Sequence, residues 1–197
     1  MFDIINKFED TIADFYGAPY GIAVDCCTHA LELCLRVKEI NQTLCPKYTY
    51  LSVPMTLKKL GISWEWSDEL WENYYYLGNT NIIDAGVMWS PKSYISNTLM
   101  CLSFQFQKHL NLGRGGMILT DDQTLYEKLL KMSYDGRTRG IPWAQQIITT
   151  MGYHYYMTPE TAQSGLDKFK IVKDLPSRKW SYRDYPDLTK MIKIFDK

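Results

Sequence analysis

Lys108 is the residue whose setting in this 197-residue chain most suggests covalent chemistry. It follows a strand-like apolar run, residues 99–106, and precedes Gly113, Gly115, Gly116 and a second apolar run, residues 117–119. The glycines allow a sharp turn and close backbone approach, so the stretch reads as strand, loop, strand with the lysine in the loop. A lysine amine that is desolvated, or held beside another cation, can form a Schiff base; on a solvated β-turn it is only a surface charge. Thr28 ends Asp25-Cys-Cys-Thr, between a short apolar run and a helical pattern. A helix N-terminus offers unpaired N–H groups and a positive dipole end, which suits a phosphate, and Thr28 can cap that helix or donate to the same anion. Asp84 closes the apolar pair Ile82-Ile83. A carboxylate there is costly to bury unless paired; otherwise it is a strand-end turn residue or a helix cap. His154, in Gly-Tyr-His-Tyr-Tyr-Met-Thr158, is either a donor to an anion or a partly buried interface histidine.

These residues need a framework to converge. Phe2, Ile5, Phe8, Ile12 and Phe15 are spaced as one face of a helix, and Gly17-Ala-Pro19 ends it. Residues 20–24 read as a buried strand, followed by a helix with Ala30, Leu31, Cys34 and Leu35 on its apolar face. Residues 47–60 read as a strand end and a helix, and residues 61–66 as an alternating strand. Ser67-Asp-Glu69 suggests the cap of a short helix. Residues 74–77 and 81–83 are two strand-like runs around Gly78-Asn-Thr80, and residues 123–133 form a helix by their apolar spacing. Thr158-Pro-Glu160 is a strong helix start, with a helix over 161–175 and a short helical pattern over 188–195. Residues 176–187 are polar and aromatic.

Composition narrows the classes. Lysine plus arginine equals aspartate plus glutamate at 22 each, with no basic block, so nucleic-acid binding has no electrostatic support. No run of about 18 apolar residues predicts a membrane span, and residues 1–10 lack the basic start of a signal peptide. Five cysteines without C-x-x-C spacing and three scattered histidines argue against a metal site or a disulfide framework and favour a cytoplasmic setting. Aromatics reach 14%, which suits an aromatic-lined pocket, a subunit interface or a bulky core.

Ser103-Phe104, Lys108, Gly113-Arg-Gly-Gly116 and Thr120-Asp-Asp122 resemble, in order and spacing, the lysine loop of the DegT/DnrJ/EryC1/StrS family of pyridoxal-phosphate-dependent sugar aminotransferases. Thr28, Ala30 and Leu31 match that family's phosphate segment, with Cys26 and Cys27 in place of Ser and Gly. Asp84-Ala85 matches its ring-nitrogen motif, with Ile83 for the family's Glu and Val87 for a polar ring contact. Residues 152–160 resemble its Gly-Tyr-Asn segment, with His154 at the Asn and Tyr156 at the Arg. The resemblance covers roughly residues 15–175, and the interval before Asp84 is shorter than in the family.

The resemblance implies an α/β fold: the large domain of the aspartate-aminotransferase-like architecture, three-layered with a mostly parallel sheet, over residues 1–175. Residues 176–197 would form a short tail where the family carries a small domain. It implies a pyridoxal 5'-phosphate cofactor held as an aldimine on Lys108, with Asp84 keeping the ring nitrogen protonated. Cys27, Thr28 and Ser103 would hold the phosphate, joined by His154 of a second subunit in a homodimer. Tyr50 would stack on the ring, worth about 0.5–1.5 kcal/mol, unless it is plain core packing. The implied reaction is amino transfer from glutamate to a nucleotide-linked keto-sugar in polysaccharide biosynthesis. A non-catalytic cofactor- or sugar-binding partner subunit of the same descent is the alternative. Family members that dehydrate carry His in place of the lysine, so Lys108 speaks against dehydration.

Overall fold

The computed structural model describes residues 2–195. In chain order it has α1 (Phe2–Tyr16), β1 (Tyr20–Val24), α2 (Cys27–Val37), β2 (Gln42–Pro46), α3 (Ser52–Lys59) and β3 (Ser63–Ser67). These are followed by β4 (Tyr75–Tyr76), β5 (Ile82–Asp84), β6 (Leu99–Ser103), β7 (Gly116–Thr120), α4 (Gln123–Ser133) and α5 (Pro159–Val172). The helices start where capping chemistry allows. Asp122 accepts from the Leu125 N–H at the head of α4, and Thr158 accepts from the Thr161 N–H at the head of α5, with Pro159 just inside.

Three layers form because each central strand alternates its side chains between two cores. Ile82, Leu99, Cys101 and Ile118 point to one core, shared with α2, α3 and α4. Ile83, Met100, Leu102, Met117 and Leu119 point to the other, shared with α1 and α5. Ile5, Phe8 and Ile12 bury the inner face of α1, as their spacing predicts. Among the described residues no helix is long and apolar enough to cross a membrane.

The α/β class stands, but the strand directions are mixed rather than mostly parallel. The main sheet runs β1-β7-β6-β5-β4. Only β5 and β6 pair in parallel; β1/β7, β6/β7 and β4/β5 are antiparallel. The reason lies in the connections: β6–β7 and β4–β5 are joined by loops without a crossover helix, and such links return the chain antiparallel. A separate two-stranded parallel sheet, β2/β3, is connected through α3. Three local expectations are corrected. No helix follows Ser67-Asp-Glu69: Asp68 pairs with Lys47 instead. The expected strand end at Lys47 lies after β2, which covers Gln42–Pro46. The final helical pattern shortens to one turn, Leu188–Lys190, capped by Asp187.

The segment after α5 returns across the protein. Ser177 Oγ donates to Trp89 O (2.9 Å), and the Asn73 N–H donates to Trp180 O (2.8 Å). The Tyr182 N–H donates to Trp71 O, and the Leu188 N–H donates to Lys47 O, each at 3.0 Å.

Candidate functional site

β1, β5 and β6 run in one direction, as their pairings with one another and with β7 require. Their carboxyl ends therefore meet at one edge of the sheet, the usual place for a ligand in an open α/β sheet. Asp84 ends β5, Ser103 ends β6, and the turn after β1 leads into α2. A cavity of about 320 Å³ opens there. Of the seven residues singled out from sequence, Cys27, Thr28, Tyr50, Asp84, Ser103 and Lys108 line it.

Close approach makes this meeting possible. A Cβ on Gly116 would lie 2.4 Å from the Cys26 carbonyl carbon and 2.5 Å from the Cys27 nitrogen. The first residue of β7 must therefore be glycine for the strand to pass the head of α2. At Gly86 a Cβ would meet Asp84 Oδ1 at 3.0 Å, Ser103 Cβ at 3.4 Å and Cys27 Sγ at 3.5 Å, which shows how tightly those three converge.

Asp84 is held by two neutral donors. The Tyr75 hydroxyl donates to Oδ2 at 2.6 Å, and the Gly86 N–H donates to Oδ1 at 2.9 Å. Burial, reinforced by the nearby Asp84 charge, pushes the Tyr75 hydroxyl well above its ordinary range, so it remains a donor. Lys108 is partly desolvated. Burial pulls its amine below the usual lysine range, while the charge of Asp84 opposes that shift. Its amine stands 5.3 Å from the Trp180 ring centre. Burial, then Asp84, raises the Cys27 thiol well above the ordinary value despite Lys108, so it is a neutral wall rather than a nucleophile.

At the head of α2 the N-cap Cys26 makes no side-chain cap bond, which leaves the first-turn N–H groups uncapped. Thr28 Oγ1 donates to Ser52 Oγ at 2.8 Å. Beside it, His29 Nδ1 bonds Asp25 Oδ1 at 2.6 Å, stacks on Tyr155 with ring centres 3.6 Å apart, and shares Asp25 with Arg114, also at 2.6 Å. Burial pulls the His29 imidazole down, but its hydrogen bonds to Asp25 and Cys26 outweigh this and push it up to about 9. Asp25, Cys26 and His29 bring metal-ligand atoms within 4.8 Å of one another, yet Arg114 and the protonated imidazole already supply Asp25 with positive charge.

Tyr50 is 60% exposed on the cavity wall, so it is not core packing. His154 does not line the cavity. Its side chain is 71% exposed and meets Asp135 at 3.1 Å, while its backbone bridges Tyr134. Sequence reasoning missed Tyr75, Thr49, Ser52, Arg114 and Tyr185, all on the cavity wall, whereas Trp180, a tail residue that the sequence offers as a cover for the site, does line it. One of the signals was local: the β4/β5 hairpin sets Tyr75 directly opposite Asp84. Trp180 and Tyr185 come from the returning tail and leave no such trace.

The sequence model of the DegT/DnrJ/EryC1/StrS aminotransferase family matches residues 2–65 and 95–185. Residues 66–94, which include Asp84, fall between the two matched parts. The chain is 34% identical over 82 residues to GDP-perosamine synthase of Escherichia coli O157:H7, covering 42% of this chain and 22% of that protein. It is 23% identical over 229 residues to the spore coat polysaccharide biosynthesis protein SpsC of Bacillus subtilis, covering 89% and 58%. It thus spans well under two thirds of the length of these relatives. In structure it is similar to AtS13 from Actinomadura melliaura, with a TM-score of 0.75 at 19% identity, covering 87% of this chain and 60% of the other. It is also similar to the pyridoxal-phosphate form of Spr1654 from Streptococcus pneumoniae, with a TM-score of 0.71 at 17% identity, covering 86% and 59%. At such identities these likenesses speak for the fold, while the matched sequence, including the lysine loop and the head of α2, carries the descent: the chain belongs to the DegT/DnrJ/EryC1/StrS aminotransferase family.

Proposed function

We propose that this chain binds pyridoxal 5'-phosphate in the 320 Å³ cavity and, as a homodimer in the cytoplasm, transfers an amino group from glutamate to a nucleotide-linked keto-sugar. The observation that carries this reading is the convergence on one cavity wall of Asp84, from the end of β5, and Lys108, from the β6–β7 loop. The residues present fit the cofactor. Asp84 has only neutral hydrogen-bond partners, so its charge remains available to a cationic ring nitrogen. The uncapped head of α2 suits a phosphate dianion. The sugar acceptor is supported by the sugar and polysaccharide names of the relatives.

When bound, the cofactor supplies an aldehyde carbon and a ring that takes up the electron pair left as a donor's Cα–H bond breaks. Lys108 would be the residue that anchors it, and its Nζ would be the base that holds and moves the donor's Cα proton. Burial favours the neutral amine that both roles need. Asp84 would keep a proton on the ring nitrogen, its carboxylate oriented by the Tyr75 and Gly86 donors. Thr28, Ser103 and the backbone at Cys27 would hold the phosphate, and Tyr50 would cover the ring. His154, outside its own subunit's cavity, is assigned to the phosphate end of the neighbouring subunit's site.

The test is the absorbance of the purified protein mixed with the cofactor, beside Lys108→Ala. A yellow band in the first and not in the second, bleached by glutamate, is the expected result. No band in either protein refutes the reading. A band that glutamate does not bleach supports cofactor binding without amino transfer, in keeping with Val87 at the cavity wall where the family pattern has a polar residue.

A further inference from the structure

Lys108 stands between two cavities. Beyond the first lies a second, of about 570 Å³, and the two share Gly86, Ser103, Gln107, Lys108, Trp180 and Asp184 in their walls. The second also opens on Ser177 and Arg178 from the returning tail. We propose that this second cavity is a substrate subsite in which Arg178, laid on the Trp180 ring, takes the anionic group of a substrate whose reacting end reaches Lys108. The anion is a carboxylate of the amino donor or a phosphate of the sugar acceptor. What reacts at Lys108 rests on the function proposed above; the recognition of the anion rests on the tail alone.

Three observations carry the assignment. The first is rigidity. Trp180 is tied to Asn73 twice, by the Asn73 N–H to its carbonyl at 2.8 Å and by its own N–H to Asn73 Oδ1 at 3.3 Å. Ser177 is tied to the Trp89 carbonyl at 2.9 Å. The indole is therefore a fixed platform, not a side chain on a loose end.

The second is the presentation of the guanidinium. Its carbon stands 3.8 Å from the Trp180 ring centre. One Nη2 donates to Asp184 Oδ1, and Asp184 is itself fixed because Oδ2 accepts the Ser181 N–H at 2.9 Å in a capping box. A guanidinium has five N–H donors in a planar fork. Among the described residues Arg178 makes no other hydrogen bond, and its side chain is 59% exposed. Stacked, anchored at one arm and open along the rest, it is pre-organised for a bidentate oxyanion.

The third is the balance of donors. The Arg178 guanidinium and the Lys108 amine both stand against the one indole ring, and among the described residues Asp184 is the only carboxylate in the wall of the second cavity. His109 is the remaining titratable side chain there; its Nε2 is bonded to the Val172 carbonyl at 2.9 Å. The wall therefore offers more N–H donors than its one carboxylate can take up, which favours an anion.

The experiment titrates the whole 197-residue chain, without cofactor, with glutarate and separately with uridine diphosphate, by calorimetry. Wild type is compared with Arg178→Gln and Arg178→Lys, and melting temperatures show that each variant is folded. The expected result is that one of the two ligands binds wild type and is weakened tenfold or more by Arg178→Gln, with partial recovery in Arg178→Lys. Loss for glutarate assigns the subsite to the donor's carboxylate; loss for uridine diphosphate assigns it to the acceptor's phosphate. Equal affinity of wild type and Arg178→Gln for both ligands, or no binding of either to wild type, overturns the proposal. The cofactor band on Lys108 is read in parallel. If the band forms and Arg178→Gln changes neither affinity, only the subsite fails. If anion binding depends on Arg178 but no band forms, only the cofactor reading fails.

Discussion

Replacing Gly116 by alanine should damage stability and cofactor binding together, and the size of the effect follows from backbone geometry. The added Cβ would lie 2.4 Å from the Cys26 carbonyl carbon and 2.5 Å from the Cys27 nitrogen. Reaching even 3.0 Å from that carbon demands a displacement of roughly 0.6 Å. The obstructing atoms are backbone at the head of α2, so no rotamer change relieves the clash. Overpacking of this kind costs about 1–3 kcal/mol. For a chain of this length that is roughly 2–4 °C in melting temperature per kcal/mol. The displaced element is the proposed phosphate end of the cavity, so cofactor affinity should fall by at least tenfold. Gly113→Ala is the control: nothing lies within 4 Å of its Cβ, and only its φ of +78° opposes substitution. It should lose about 1 kcal/mol and leave the head of α2 in place. The measurements are a thermal melt and an absorbance titration with the cofactor on all three proteins. If Gly116→Ala melts within a degree of wild type and titrates identically, the close passage of β7 against α2 does not constrain the site.

Asp84→Asn should shift the pH profile of Lys108 acylation downward in the cofactor-free protein. Asp84 pulls the Lys108 amine up against burial, so removing its charge makes deprotonation easier; an unchanged profile, read by mass spectrometry at Lys108, would show the two do not sense each other. His29 predicts a stability change in mildly alkaline solution. Its folded value, about 9, lies above the unfolded 6.5, so its contribution is fully present below pH 6.5 and is lost as pH rises through 9. The pair is partly exposed, and after discounting for solvent screening the loss is about 1 kcal/mol. Denaturant melts at pH 6 and pH 9.5 on wild type and His29→Gln measure it: the variant should show the smaller pH dependence, and equal slopes would remove His29 as the cause.

Much of the site was legible in the chain itself, because a loop's chemistry is written in consecutive residues. The lysine loop, residues 103–122, and the strand–turn–helix around Thr28 need only local spacing to be recognised, and both line the cavity. The helix start at Thr158 was legible for the same reason: a cap is a contact between residues three apart. Periodicity placed α1 and its buried face.

Strand direction was not legible, since an apolar run looks the same whichever way its neighbour runs. The absence of crossover helices in the β6–β7 and β4–β5 links decided it. The hydrogen-bond donors to Asp84 depended on register across a hairpin. His154 illustrates a different limit: its sequence context fits an anion donor, but the fold sets it on Asp135, away from its own cavity. The returning tail was the least legible part. Residues 176–185 have no periodicity, and their place is fixed by hydrogen bonds to Trp89, Asn73 and Trp71, about a hundred residues earlier. The sequence thus determined which chemical groups were on hand and which short segments would hold them. Tertiary structure alone decided that Trp180 and Arg178 stand beside Lys108, because contacts between residues so distant in the chain leave no local pattern to read.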